Sequence, residues 1–198
     1  MRIAETKVFT FDELSQEAKE VAIEKQRQWQ YEYGEYLHFF QDTCEEHIMR
    51  AGFNGIKLQY SLSYCQGDGL SFSAESYDNL EQIYLDILGK GKEKTAKILA
   101  DNTTFQAKGN DGRYCFASKS DIDMYLENWN SAINVTDTDN IDEVIEVALS
   151  RVEDIYMELC KELEDMGYAE IEYQNSDEVI IENIKANDYE FTEDGLIF

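Results

Sequence analysis

Ile56-Lys57-Leu58-Gln59-Tyr60-Ser61-Leu62-Ser63-Tyr64 and, after Cys65-Gln66-Gly67-Asp68-Gly69, Leu70-Ser71-Phe72-Ser73-Ala74 make up the stretch with the plainest period in the chain. Ile56, Leu58, Tyr60, Leu62 and Tyr64 alternate with Lys57, Gln59, Ser61 and Ser63, and Leu70, Phe72 and Ala74 alternate again. Successive side chains of a strand point to opposite faces, so the pattern predicts two half-buried strands turning at Gly67-Asp68-Gly69. Glycine tolerates positive φ, so the turn is expected to be tight and to present Asp68. Gln66, Gly67, Asp68 and Gly69 are therefore a candidate contact loop, although turn chemistry alone accounts for the same residues.

Strand and helix periods alternate on both sides of this hairpin. Lys7–Phe11 reads as a strand. Ser15 is placed to cap a helix whose stripe is Leu14, Ala18, Val21, Ala22 and Trp29. A second helix is expected from about Glu35 to Ala51, carrying Leu37, Phe40, Cys44, Ile48 and Ala51, with Gly52 as its left-handed stop. Short helices are predicted over 79–88 and 93–100. A second hairpin is predicted from Phe105–Lys108 and Arg113–Phe116, turning at Gly109-Asn110-Asp111-Gly112, and another helix over Asp121–Trp129. Beyond the polar stretch Asn134–Asn140 lies the longest helix, Ile141 to about Met166. Tyr168–Gln174 reads as a strand, Asp177–Lys185 as a helix, and Tyr189–Phe198 as a last hairpin turning at Glu193-Asp194-Gly195. The sum is an α+β fold: an antiparallel sheet built from β-hairpins and packed by helices, one of them long, acidic and amphipathic. One domain over residues 1–198 is expected, with an acidic C-terminal subdomain from about residue 139 as a subdivision.

The chain carries 42 Asp and Glu against 17 Lys and Arg, a formal net charge of −25. A disordered acidic segment lacks aromatics, whereas this chain is 43% hydrophobic and 13% aromatic, so a folded protein wears the charge on its surface. The charge is uneven: residues 139–198 hold 19 acidic and 3 basic residues, a net of −16. At 100° per residue the long helix gathers Ile141, Val144, Ile145, Ala148, Val152, Ile155, Tyr156, Leu159 and Leu163 on one arc. Glu143, Glu146, Asp154, Glu158, Glu164 and Asp165 lie opposite, with Val147 and Met157 as apolar exceptions among them. Carboxylates four residues apart on a helix stand about 6 Å apart along its axis, comparable to the step between phosphates on a nucleic-acid strand. These six residues are the candidate partner-binding surface; a merely solvated face is the plainer reading. Such a surface repels nucleic acids and anionic membranes and attracts basic proteins.

Catalytic signatures are missing. GxxxxGK[ST] and GxGxxG do not occur, no EF-hand spacing follows Asp68, and carboxylates are so abundant that no pair among them stands out. His38 and His47 lie nine residues apart on one predicted helix and point in opposite directions, with His47 bordering the apolar stripe. Cys44–His47 has dyad spacing but nothing else to support it. Cys44, Cys65, Cys115 and Cys160 lack CxxC pairing and read as reduced thiols rather than a zinc site. The N-terminus carries no signal-peptide core, and no run of about 18 apolar residues exists. A non-enzyme without metal or cofactor is expected.

Three segments carry a resemblance: KVFTFDELSQEAKEVAIEK at residues 7–25, YSLSYCQGDGLSF at 60–72, and ANDYEFTEDGLIF at 186–198. Together with Gly52-Phe53 they resemble a group of small acidic phage and prophage proteins, and some similar phage-borne proteins are anti-CRISPRs that block Cas nucleases. The resemblance implies a phage-encoded inhibitor acting in the host cytoplasm on a basic nucleic-acid-binding protein. The favoured partner is a type II CRISPR nuclease, Cas9, and another defence enzyme would serve as well. The mechanism would be non-catalytic, with acidic surface occupying a channel that normally holds DNA. The alternative is an antitoxin-like or regulatory binding module whose contact is aromatic, through Tyr60, Tyr64 and Phe72. A carboxylate-based metal-dependent enzyme is the remaining class.

Overall fold

The computed structural model describes residues 6–33, 36–110, 114–127 and 140–198. Its elements, in chain order, are β1 (Phe9–Thr10), the 3-10 turn η1 (Phe11–Glu13), α1 (Gln16–Tyr33), α2 (Phe40–Arg50), β2 (Phe53–Asn54), β3 (Lys57–Ser61), β4 (Gly69–Ser73), β5 (Ser76–Tyr77), α3 (Leu80–Leu88), α4 (Glu93–Asn102), β6 (Thr103–Lys108), η2 (Ala117–Lys119), β7 (Asp121–Leu126), α5 (Ile141–Gln174), α6 (Asp177–Ala186) and β8 (Glu190–Phe191). The fold is α+β, as expected. Its strands pair as separate two-stranded antiparallel sheets, β1–β8, β2–β5, β3–β4 and β6–β7, rather than as one sheet. The chain divides into two compact units, Phe39–Gly167 and Met1–His38 with Tyr168–Phe198.

The larger unit is organised by the hairpin β3–β4, in register Leu58 opposite Phe72 and Tyr60 opposite Leu70. Both faces of β4 are covered: Gly69, Leu70, Ser71 and Phe72 are all buried. On one face Phe72 meets Phe53 edge-on, with ring centroids 5.2 Å apart, and Phe53 also packs on Tyr77 and Phe105. On the other face the side chains are small because main chain lies on them. Gly109 N–H donates to Ser73 Oγ (3.0 Å) and Asn110 N–H to Ser71 Oγ (3.2 Å). A Cβ on Gly69 would stand 2.9 Å from the Cys115 carbonyl oxygen.

Tyr156 of α5 is fully buried against this strand. Its hydroxyl donates to the Phe72 carbonyl (2.7 Å), accepts from Phe72 N–H (2.9 Å) and bonds Ser120 Oγ (2.9 Å). A hydroxyl has one proton and two lone pairs, so all of its capacity is used. The buried side of α5 continues as Ile141, Val144, Ala148, Val152, Cys160 and Leu163.

The smaller unit has its own core: Phe11, Leu14, Ala18, Ala22, Ile180, Ile184 and Phe191. Ser15 Oγ caps α1 by accepting from Ala18 N–H (3.2 Å), and Ser176 Oγ caps α6 by accepting from Val179 N–H. Arg27 pairs with Asp177 and donates to the Asn175 carbonyl (3.2 Å), which ties α1 to the start of α6. Trp29 and Val21, placed on the apolar stripe of α1 from its spacing, are 52% and 38% exposed. The final hairpin forms, with Thr192 N–H donating to Leu196 O (2.8 Å), and its first strand also pairs with β1. Strand pairing at the N-terminus is confined to Phe9–Thr10, because Phe11 already begins η1.

Two expected elements are reversed. Asp121–Leu126 is the strand that pairs with β6, not a helix. Ile122, Met124 and Leu126 alternate with exposed Asp121, Asp123 and Tyr125, a period of two that acidic residues disguise. The Arg113–Phe116 strand is accordingly not β6's partner: Tyr114–Phe116 is irregular and lies by the β3–β4 turn. Tyr168–Gln174 is not a strand but the end of α5. Its alternation of Ala169, Ile171 and Tyr173 also suits a helix that buries Gly167 and Ile171 and leaves Tyr173 exposed. Gly167 serves close packing, not termination, since a Cβ there would meet the Phe40 ring at 2.8 Å. Residues Glu35, Asp111, Gly112, Arg113, Trp129 and Asn134–Asp139 of other expected features lie outside the described residues.

Two substitutions test this packing. Tyr156→Phe leaves buried Phe72 N–H and C=O without a partner and should cost about 2–3 kcal/mol in urea unfolding, while Ser120→Ala costs about 1 kcal/mol or less. Gly195, at φ +82, faces the Ala18 carbonyl so closely that a Cβ would collide with it. Gly195→Ala should lower stability by at least about 2 kcal/mol.

Candidate acidic interaction surface

The acidic face of α5 follows from the side that α5 buries. With Val144, Ala148, Val152, Tyr156 and Cys160 packed inward, the candidate carboxylates fall on an opposite arc of about 120°. Glu143, Glu146, Asp154, Glu158 and Asp165 are exposed, and Glu164 is half-buried. Asp154, Glu158 and Glu162 follow at four-residue steps, about 6 Å apart along the axis. The row is not uniform. Glu143 accepts from Asn140 Nδ2 (2.7 Å), and Asp165 is paired with Lys161 (3.2 Å). Val147 and Met157, 39% and 40% exposed, interrupt it.

The hairpin tip differs from its expectation. Asp68 is 9% exposed and faces inward. Its carboxylate accepts from Ser63 N–H (2.7 Å), Cys65 N–H (3.0 Å), Ser61 Oγ (3.1 Å), Ser63 Oγ (3.2 Å) and Cys65 Sγ (3.0 Å). One carboxylate therefore gathers the whole 61–68 loop, and no acid is offered to a partner there. The positive φ falls on Tyr64 (φ 54), not on Gly67 or Gly69. Those two glycines are needed for space instead, since a Cβ on Gly67 would stand 2.5 Å from the Tyr114 ring. Among the alternative aromatic contacts, Phe72 is fully buried, Tyr60 packs edge-on against Phe40 (5.2 Å), and Tyr64 is exposed.

A depression of about 470 Å³ lies between Phe116–Ser118 and α5, lined by Phe116, Ala117, Met157, Glu158, Lys161 and Glu164, among others. It brings Glu158, Glu164 and Asp165 of the candidate surface together with apolar groups. Phe116 and Ala117 come from a segment with no site signal in its sequence. Met157 did carry one, as an apolar residue out of place among acids. Burial and the charges of Asp165 and Asp68 raise the Glu164 carboxyl above its ordinary range, against a smaller opposing pull from Lys161.

His47 is exposed rather than partly buried, and His38 stands in the turn before α2 rather than on a helix with it. All four cysteines are unpaired. Burial pushes the Cys44 and Cys160 thiols up to about 12. Among the described residues no group of three or more His, Cys, Asp or Glu is placed to hold a metal ion, and no helix is long and apolar enough to cross a membrane. In comparisons with known proteins, no family model, no curated protein and no solved structure matches the chain.

Asp68→Ala leaves the Ser63 and Cys65 N–H groups without their shared acceptor. It should cost about 1–3 kcal/mol and speed hydrogen exchange at those two amides. Glu164 supplies a pH test. Its folded-state pKa is raised, so the native state binds the proton more tightly than the unfolded chain does. Ionising it therefore lowers stability above the folded pKa and has no such effect below the unfolded one. Glu164→Gln should raise the Tm near neutral pH, and the gain should vanish as pH falls through the carboxylate range.

Proposed function

We propose that this protein is a non-catalytic inhibitor that binds a basic nucleic-acid-binding protein through the acidic face of α5, in the place of DNA. The observation that carries the reading is the run of exposed carboxylates, Glu143, Glu146, Asp154 and Glu158, on one side of a helix whose other side is locked into the core. From Ile141 to Gly167 that helix is about 40 Å long, long enough to follow a groove that holds a duplex. A net charge of −25 exceeds what solubility needs and costs stability by self-repulsion, which favours a use for it. The partner is a host defence nuclease. The resemblance to small acidic phage proteins directs the first test to a type II CRISPR effector, with the inhibitor acting in the host cytoplasm. Inward-facing Asp68, Tyr60 and Phe72 weaken the aromatic-hairpin alternative, which is left with Tyr64.

Binding to Cas9 and to other basic nucleases, measured at rising ionic strength, tests the reading. Affinity should fall steeply with salt, and DNA cleavage should fall as inhibitor is added. Reversing Glu143, Glu146, Asp154 and Glu158 to Lys should weaken binding by at least about tenfold while leaving the circular dichroism spectrum unchanged. Salt-independent affinity, or full affinity in the reversed variant, would sink the proposal.

A further inference from the structure

The depression beside α5 has a composition that a plain DNA-like surface does not need. Its walls are apolar at Phe116, Ala117 and Met157, and Glu158, Glu164 and Asp165 stand around them. Phe116 is half-buried and stacked on Tyr114, with ring centroids 5.5 Å apart and planes at 18°. Lys161, the cation among the described lining residues, is engaged by Asp165 at 3.2 Å. Glu164 has no hydrogen-bond or ion-pair partner among the described residues. Among the described residues the negative charge around this apolar groove is thus under-compensated, and Glu164 is less exposed than the other candidate carboxylates of the face.

Building on the acidic-surface reading, we infer that this groove receives an arginine side chain of the basic partner. Guanidinium is planar, weakly hydrated, stacks on aromatic rings and bonds a carboxylate through two N–H groups at once. Its methylene stem covers apolar surface such as Ala117 and Met157 while the head reaches Glu164. A lysine carries the same charge but is a strongly hydrated point, and it gains less from an aromatic wall. The volume of about 470 Å³ suits one side chain with its flanking main chain. The surface as a whole would then steer the partner, and the groove would set its register.

The test compares fluorescein-labelled nona-arginine and nona-lysine peptides at equal ionic strength, with the full chain carrying 13C-methyl methionine. The wild-type chain should bind nona-arginine about three- to fivefold tighter than nona-lysine. The Met157 methyl resonance should move on titration, while that of Met49, exposed on α2, stays in place. Ala117→Trp, which fills the groove without changing charge, and Glu164→Gln should each abolish the arginine preference. Equal affinity for the two peptides, or arginine binding that leaves the Met157 methyl unmoved, overturns the groove. That readout uses the wild-type chain, so a misfolded variant cannot obscure it. Equal peptide affinities that still fall with salt and with charge reversal at Glu143 and Glu146 would overturn the groove and leave the acidic-surface reading standing. Failure to bind either peptide overturns the groove, and salt-independent binding to the nuclease overturns the wider reading.

Discussion

The Tyr156 hydroxyl on the main chain of Phe72 is the contact on which the larger unit depends. In the register of β3–β4, the Phe72 N–H and C=O point away from β3, and a buried strand cannot leave them unpaired. One phenol satisfies both and is itself satisfied by Ser120. The same ring packs on Phe72, with centroids 4.4 Å apart. This pins α5 to the hairpin in a single rotational setting. Once Tyr156 faces inward, a spacing of 3.6 residues per turn sends Glu143, Glu146, Asp154 and Glu158 outward. The orientation of the acidic face is thus a consequence of a polar contact inside the core.

Asp68 shows the opposite use of a carboxylate. The chain spends one acid to hold a loop together, collecting two main-chain N–H groups and three side-chain donors from residues 61–65. That loop packs against Tyr114–Phe116, and Phe116 in turn forms a wall of the groove on α5. Structural and exposed acids are therefore neighbours, and the field of Asp68 reaches Glu164. In the groove, shape, apolar surface and charge coincide.

Much of the architecture was legible from spacing. The hairpin at 56–74, the helices at 80–88, 93–102 and 177–186, and the amphipathic split of α5 all follow from periods that burial enforces. Misreadings occurred where two periods fit one segment. Ala169-Glu170-Ile171-Glu172-Tyr173 alternates like a strand, yet it continues a helix already nucleated over many turns, and propagation is easier than a fresh start. Asp121-Ile122-Asp123-Met124 looks too acidic for a strand, yet only its even positions face the core.

Composition and helical period were enough to establish that the acid is carried by a folded surface and is densest along one helix. They could not say which acids face water. Asp68 and Glu158 are the same kind of group in the sequence, and one is buried in a cage of donors while the other is exposed. That difference arises from partners far away in the chain: Tyr114 and Cys115 lying over Gly67 and Gly69, and Tyr156 bonding to Phe72. Local periodicity reports which side of an element is apolar. Only the folded packing of distant segments sets which polar groups find partners inside and which remain exposed.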